Sequence, residues 1–204
     1  MAQLLQAKGA VVIDADVLGH QVLEAGSPSF ASIVDVFGDA ILSKDGKIDR
    51  AKLGEIVFGD PDKRKQLEAI SHPRILEEIT QRVDELRDTD QVVVLDAALL
   101  VEIVPDRGRS IGLDALVVVS SFPEEQLERM ISLRGMSERD AGARIASQGP
   151  LEKKLAVADY VIHNRGSLDE LGKAVDLFWD DAVSGGVRSS QWGAVEDSRK
   201  VTDR

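Results

Sequence analysis

Hydrophobic positions along the chain fall into two patterns. Short Val-rich runs at Val11–Asp14, Val92–Asp96, Ala115–Val119 and Tyr160–Ile162 are bounded by polar or turn residues and predict buried strands. Longer stretches between and around them predict helices over Asp16–Glu24, Ser29–Phe37, Arg50–Phe58, Asp62–Ile70, Pro73–Arg87, Glu124–Leu133, Glu138–Ser147 and Leu168–Trp179. Buried strands alternating with helices predict an α/β fold with a parallel sheet and helices on both faces. The first two strands lie about 75 residues apart, far more than one crossover helix needs. That insert carries only helix and turn signals ("SKDGK", "GDPDK", "SHP") and predicts a helical subdomain over the strand ends. Residues 183–204 lose periodicity, gain Gly, Ser and charge, and predict a flexible C-terminal tail. No internal repeat is visible.

Composition narrows the function classes. The 204 residues are 43% hydrophobic, enough for one sizeable core. A formal net charge of -11 and a pI near 4.8 argue against non-specific nucleic-acid binding and against an anionic membrane surface. A phosphate-bearing substrate stays open, because a few local Arg residues can hold one. Cysteine is absent, which rules out disulfides and Cys-based zinc sites. The longest apolar stretch, "VVVLDAALLVEIV", is interrupted by Asp96 and Glu102 and predicts no membrane span. A cytoplasmic protein is the expectation; the sequence does not set the oligomeric state.

Candidate chemistry sits at the strand ends. The first strand runs out in Asp14 and Asp16, the second in Asp96, and the last in His163-Asn164. Ligands of open parallel sheets bind outside the carboxyl ends of the strands. "VVVLD" also matches the strand that positions a Mg²⁺-linked Asp in phosphoryl-transfer proteins. The competing reading is that such acids are turn formers or helix caps, with Asp16 capping a helix that begins at Val17. In the same way, Pro73 reads as a helix start and His72 as its cap. His20 and His163 have no partner at metal-ligand spacing, and no residue set is assigned to a metal. Further on, Ser137 is a good N-cap with Asp140 at the third helical position, and Gly149-Pro150 stops the helix. Arg144 and Gln148 are four apart and share a face, and Arg134 sits just before this helix. A guanidinium there can neutralise charge on a transferring phosphoryl group. Arg129, Arg134, Arg139 and Arg144 are spaced by five and cannot form one helical stripe, so solvated surface Arg is the alternative.

Taken in order, these stretches resemble the dephospho-coenzyme A kinase family. The resemblance rests on "GAVVIDADVLGHQVLEAGSPSF", "IVDVFGDAILSKDGKIDRAKLGEIVF", "LEAISHPRI", "VVVLDAALLVE" and "RGMSERDAGARIASQGPLEKKLAVADYVIHNRGSLDEL", which cover most of residues 3–178. It implies a P-loop kinase-type parallel sheet in three α/β/α layers. One kinase domain at 1–182 would carry a helical CoA-binding subdomain at about 25–88 and a lid at about 130–155. The implied reaction moves the γ-phosphoryl of ATP, with Mg²⁺, onto the ribose 3′-hydroxyl of dephospho-CoA. The resemblance places Asp16 as the group that orients or deprotonates that hydroxyl, with Arg144 as a second catalytic residue. Asp14, His72, Asp96 and Glu102 fall on the substrate side, and Arg134, Arg144 and Gln148 on the ATP side. The chain departs from the family pattern at Ala98, where Pro is usual, at His163, commonly Asp, and in a longer "IVPDRGRSIGLDA" link.

One family feature has no counterpart in the sequence. A P-loop needs G-x-x-x-x-G-K-[ST]. Gly46-Lys47 is followed by Ile48 and Gly172-Lys173 by Ala174, and neither has Gly five positions earlier. The resemblance matches "AQLLQAKGA" to the helix directly after the P-loop. It also places the strand that feeds that loop between those matched by Val92–Asp96 and Ala115–Val119, so the expected sheet lacks its first, central strand. The expectation is a misplaced start or a fragment, with the 204 residues inactive on their own. The rival readings are a non-catalytic CoA-binding module and a P-loop kinase for another small-molecule hydroxyl.

Overall fold

All four predicted strands form, each four residues long: β1 (Val11–Asp14), β2 (Val93–Asp96), β3 (Val117–Ser120) and β4 (Tyr160–His163). They were located in a computed structural model that describes residues 1–104, 106, 108–146 and 148–181. The predicted tail, 183–204, lies outside the described residues. β1 pairs with β2 and β3 with β4, giving two two-stranded sheets. The second is parallel, with Val117 opposite Tyr160 and Ser120 opposite His163. Among the described residues no pairing joins β2 to β3. The expectation of fully buried strands is corrected. β2 has no fully buried residue and Val119 is 37% exposed, as suits strands with one hydrogen-bonded neighbour each.

β3 also begins two residues later than predicted. Leu116 donates its N–H to Asp159 Oδ2 at 2.8 Å, and its carbonyl accepts from both Asp159 and Tyr160. Asp159, itself 12% exposed and 3.7 Å from Arg109, thus ties the entrances of the two strands together.

The backbone contacts divide the chain into two compact units, Ile13–Ala97 and Met1–Val12 with the residues from Ala98 onward. In the first lie α2 (Ala15–Gln21), α3 (Phe30–Phe37), α4 (Arg50–Gly59) and α5 (Pro61–Leu86). α5 packs against each of the other three. The core beside it is Ile33, Ile41, Ile48, Leu53 and Val57, with Phe30, Phe37, Leu67 and Ile70 packed around. Asp49 and Asp60 start α4 and α5 by accepting backbone N–H bonds of 2.8 to 3.3 Å, and Pro61 sits in the first turn where its missing N–H costs nothing.

The two helices predicted at Asp62–Ile70 and Pro73–Arg87 are one helix, so Pro73 is not a helix start. Proline there deletes the bond to the carbonyl of Ala69, at a typical cost of about 3 kcal/mol. Packing outweighs that loss: Ile79 is 2% and Val83 7% exposed on the same helix.

The second unit holds α1 (Ala2–Ala7), α6 (Leu100–Ile103), α7 (Pro123–Arg134), α8 (Glu138–Ala146), α9 (Leu151–Val157) and α10 (Leu168–Trp179). α1 packs on α10, burying Leu5, Leu171 and Val175, with Lys8 2.6 Å from Asp176. α10 starts at a capping box of Ser167 and Glu170 and lays Phe178 edge-on to Tyr160 at 5.1 Å. α6 and α9 went unpredicted because each is about one turn or two and depends on tertiary support. No helix of the described residues is long and apolar enough to cross a membrane.

Candidate active site

In the first unit the structure builds the Asp14–Asp16 turn from the strand outward. Ile13 is buried at 3%, which pins the end of β1, and Asp14 follows as an exposed residue. Its Oδ1 accepts from Asp16 N–H at 2.9 Å and Val17 N–H at 3.1 Å. Asp14 is therefore the N-cap of α2, and Asp16 is not; the helix begins at Ala15. That corrects the capping alternative. Asp16 lies exposed in the first turn of α2.

The other predicted residues of this unit are placed as follows. Asp96 is the exposed last residue of β2, the strand paired with β1. His72 is half-buried in the middle of α5, three residues before Ile75, whose Cδ1 lies 3.8 Å from where a side chain on Gly19 of α2 would begin. His20, one turn beyond Asp16, is 2.7 Å from Arg50 Nη2. Arginine can only donate, so His20 Nε2 is the acceptor in this pair. Sequence reading passed over Arg50, because nothing local marks a partner thirty residues away.

In the second unit Arg134 is the last residue of α7, and Gly135 follows with φ +63°, a left-handed turn that glycine adopts without strain. Ser137 Oγ accepts from Asp140 N–H at 3.1 Å and donates to Asp140 Oδ2 at 2.7 Å, the predicted start of α8. Arg144 is exposed in the last turn of α8 and Gln148 is half-buried just past it. Arg129, by contrast, donates to the carbonyls of Asn164 at 2.8 Å and Gly166 at 3.4 Å, a structural role that holds α7 to the loop after β4.

Glu102 is drawn into the same region. Its Oε1 accepts from Gly149 N–H at 3.0 Å and lies 3.2 Å from Lys154 Nζ. Lys154 also donates to the carbonyl of Ala98 at 2.8 Å. Neither Lys154 nor Gly149 stands out in the sequence, although both lie in the "GPLEKK" stretch. Among the described residues no group of three or more His, Asp or Glu side chains is arranged to hold a metal ion.

Comparison with known proteins identifies the family. The sequence profile of the CoaE dephospho-CoA kinase family matches residues 1–170. The dephospho-CoA kinase of Streptomyces avermitilis is 43% identical over 183 residues, covering 90% of this chain and 87% of that protein. That of Thermobifida fusca is 40% identical over 181 residues, covering 89% and 88%. Among solved structures, TT1252 from Thermus thermophilus superposes with a TM-score of 0.72 at 29% identity, covering 88% of each chain. The dephospho-CoA kinase of Campylobacter jejuni gives 0.63 at 26% identity, covering 90% of each. This chain belongs to the dephospho-CoA kinase family.

Proposed function

We propose that the reaction served by this chain's residues is transfer of the γ-phosphoryl group of ATP to the ribose 3′-hydroxyl of dephospho-CoA, giving CoA and ADP. The observation that carries the reading is the β1–α2 turn, in which Asp14 and not Asp16 caps the helix and Asp16 sits exposed in its first turn. A ribose hydroxyl is a weak nucleophile until a carboxylate orients it and accepts its proton. Asp16 takes that proton as the new O–P bond forms. The bond from the γ-phosphorus to the β–γ bridging oxygen breaks, and its electron pair leaves with ADP.

On the substrate side we assign Asp14, His72, Asp96 and Glu102, the last through Oε2, since Oε1 is engaged by Gly149 and Lys154. On the ATP side we assign Arg134, Arg144 and Gln148. Two guanidinium groups and an amide suit the charge that spreads over the equatorial oxygens during transfer. Mg²⁺, when bound, neutralises charge on the β- and γ-phosphates. Kinase sites hold it through one or two carboxylates and the phosphates themselves rather than in a protein cage, and the exposed Asp96 at the end of β2 fits that donor set. The proposal places the reaction in the cytoplasm, with dephospho-CoA and ATP as partners and no nucleic acid.

The test is ATP-dependent phosphorylation of dephospho-CoA. It is run on these 204 residues and on a chain extended upstream of Met1 through a G-x-x-x-x-G-K-[ST] segment. The extended chain is expected to make CoA. If it folds and binds ATP yet leaves dephospho-CoA unchanged, the reading fails.

A further inference from the structure

One ammonium group ties three separate stretches of the second unit together. Lys154 Nζ donates to the carbonyl of Ala98, just before α6, at 2.8 Å and pairs with Glu102 Oε1, within α6, at 3.2 Å. That same oxygen accepts the N–H of Gly149, in the link between α8 and α9, at 3.0 Å. The Lys154 side chain is 13% exposed and that of Glu102 32%, so water screens the pair far less than an open surface ion pair.

Position 149 is fitted to this arrangement. A Cβ there would lie 2.8 Å from Glu102 Oε1 and 3.6 Å from its Cδ and Cγ. The φ of Gly149 is not in the left-handed region, so a side chain here would disturb the carboxylate of Glu102 rather than strain the backbone. Glu102 alone, with one N–H partner, would be free to turn towards water. Lys154 prevents this because its own position is fixed by the Ala98 carbonyl.

We propose that Lys154 is a positioning residue for phosphoryl transfer. Acting through Glu102, it fixes the α8–α9 junction at Gly149 and so sets the placement of Gln148 and Arg144, one and five residues before it. Lys154 touches no substrate in this scheme. The inference rests on the reading above, in which Arg144 and Gln148 meet the phosphates of ATP.

Two readouts test it. In the 204-residue chain, amide hydrogen exchange at Gly149 and along α8 is compared for wild type, K154M, E102Q, the double variant and K154R. A hydrogen bond to a charged group predicts that K154M and E102Q each speed exchange at Gly149 by about tenfold or more. The double variant should be no faster than the faster single, because the two residues act as one unit. K154R, which keeps a cationic donor, should recover part of the protection, and the melting temperatures should stay close together. In the extended chain, K154M should raise KM for ATP about tenfold. Wild-type exchange in K154M, or full additivity in the double variant, overturns the clasp; should K154M not fold, the near-isosteric E102Q carries the same comparison. Turnover with an unchanged KM for ATP in K154M overturns the positioning role alone. Exchange as expected without any turnover by the extended wild type overturns the kinase reading, and with it the purpose assigned to the clasp.

Discussion

Two carboxylates, one in each unit, use a single oxygen to hold two donors, and they do so at opposite sequence ranges. Asp14 Oδ1 accepts the N–H groups of Asp16 and Val17, two and three residues on. Glu102 Oε1 accepts the N–H of Gly149, forty-seven residues on, and pairs with Lys154 beyond it. The first arrangement is closed within one helical turn and needs only the strand-to-helix junction to exist. The second exists only once α6, α8 and α9 are folded together. A local cap fixes the first turn of its own helix, whereas a long-range clasp fixes a segment that must otherwise find its own place.

The largest effect should come from the group that the local cap presents. D16N in the extended chain is expected to lower kcat by about 10²–10⁴, the usual span for losing a positioned general base. KM for dephospho-CoA and the melting temperature should hold, since Asp16 is exposed and Asp14, not Asp16, caps the helix. Steady-state kinetics with thermal melts decide this, and an unchanged kcat would break the local side of the comparison. Next, R144A is expected to lower kcat by about 10²–10³ as a charge aimed at the transferring group is lost. The same substitution at Arg129 should act differently, lowering stability through its bonds to Asn164 and Gly166.

Smaller effects separate cap from clasp. D14A should cost about 1 kcal/mol of stability, the ordinary value of an N-cap, together with a partial loss of turnover as the first turn of α2 frays around Asp16. Chemical denaturation measures the first and kinetics the second. S137A should cost about 1 kcal/mol or less, felt as faster exchange in α8. The smallest effect appears only in alkali. Burial, with the carboxylates of Asp181 and Asp159 near by, pushes Tyr160 up from 10.0 to about 12. The folded state therefore keeps the phenol protonated after the unfolded chain has ionised. Its contribution is fully present below pH 10 and is lost as pH rises towards 12. Y160F should flatten that part of a stability–pH curve.

The same contrast explains what could be read from the sequence. The four strands, the cap at Ser137 and the Asp14–Asp16 turn depend on neighbours a few residues away, and pattern reading reached them. Its capping alternative named the wrong aspartate, because the choice depends on which residue ends β1. Pro73 misled for the opposite reason: the rule that proline starts a helix is local, and the packing that carries α5 through it is not. Asp159, Arg50, Gly149 and Lys154 all serve partners at least thirty residues away. Composition and spacing carry no trace of such pairings, though the resemblance had already drawn the stretch holding Gly149 and Lys154 into view.

The central claim is that Asp16 activates a ribose hydroxyl towards ATP. The most direct test follows dephospho-CoA by mass spectrometry and phosphorus NMR with ATP and Mg²⁺, using the extended chain and its D16N form. The account predicts one phosphoryl group gained at the ribose 3′-oxygen with wild type, and almost none with D16N although D16N still binds dephospho-CoA. Phosphorylation at another position, or a D16N enzyme as fast as wild type, would contradict it.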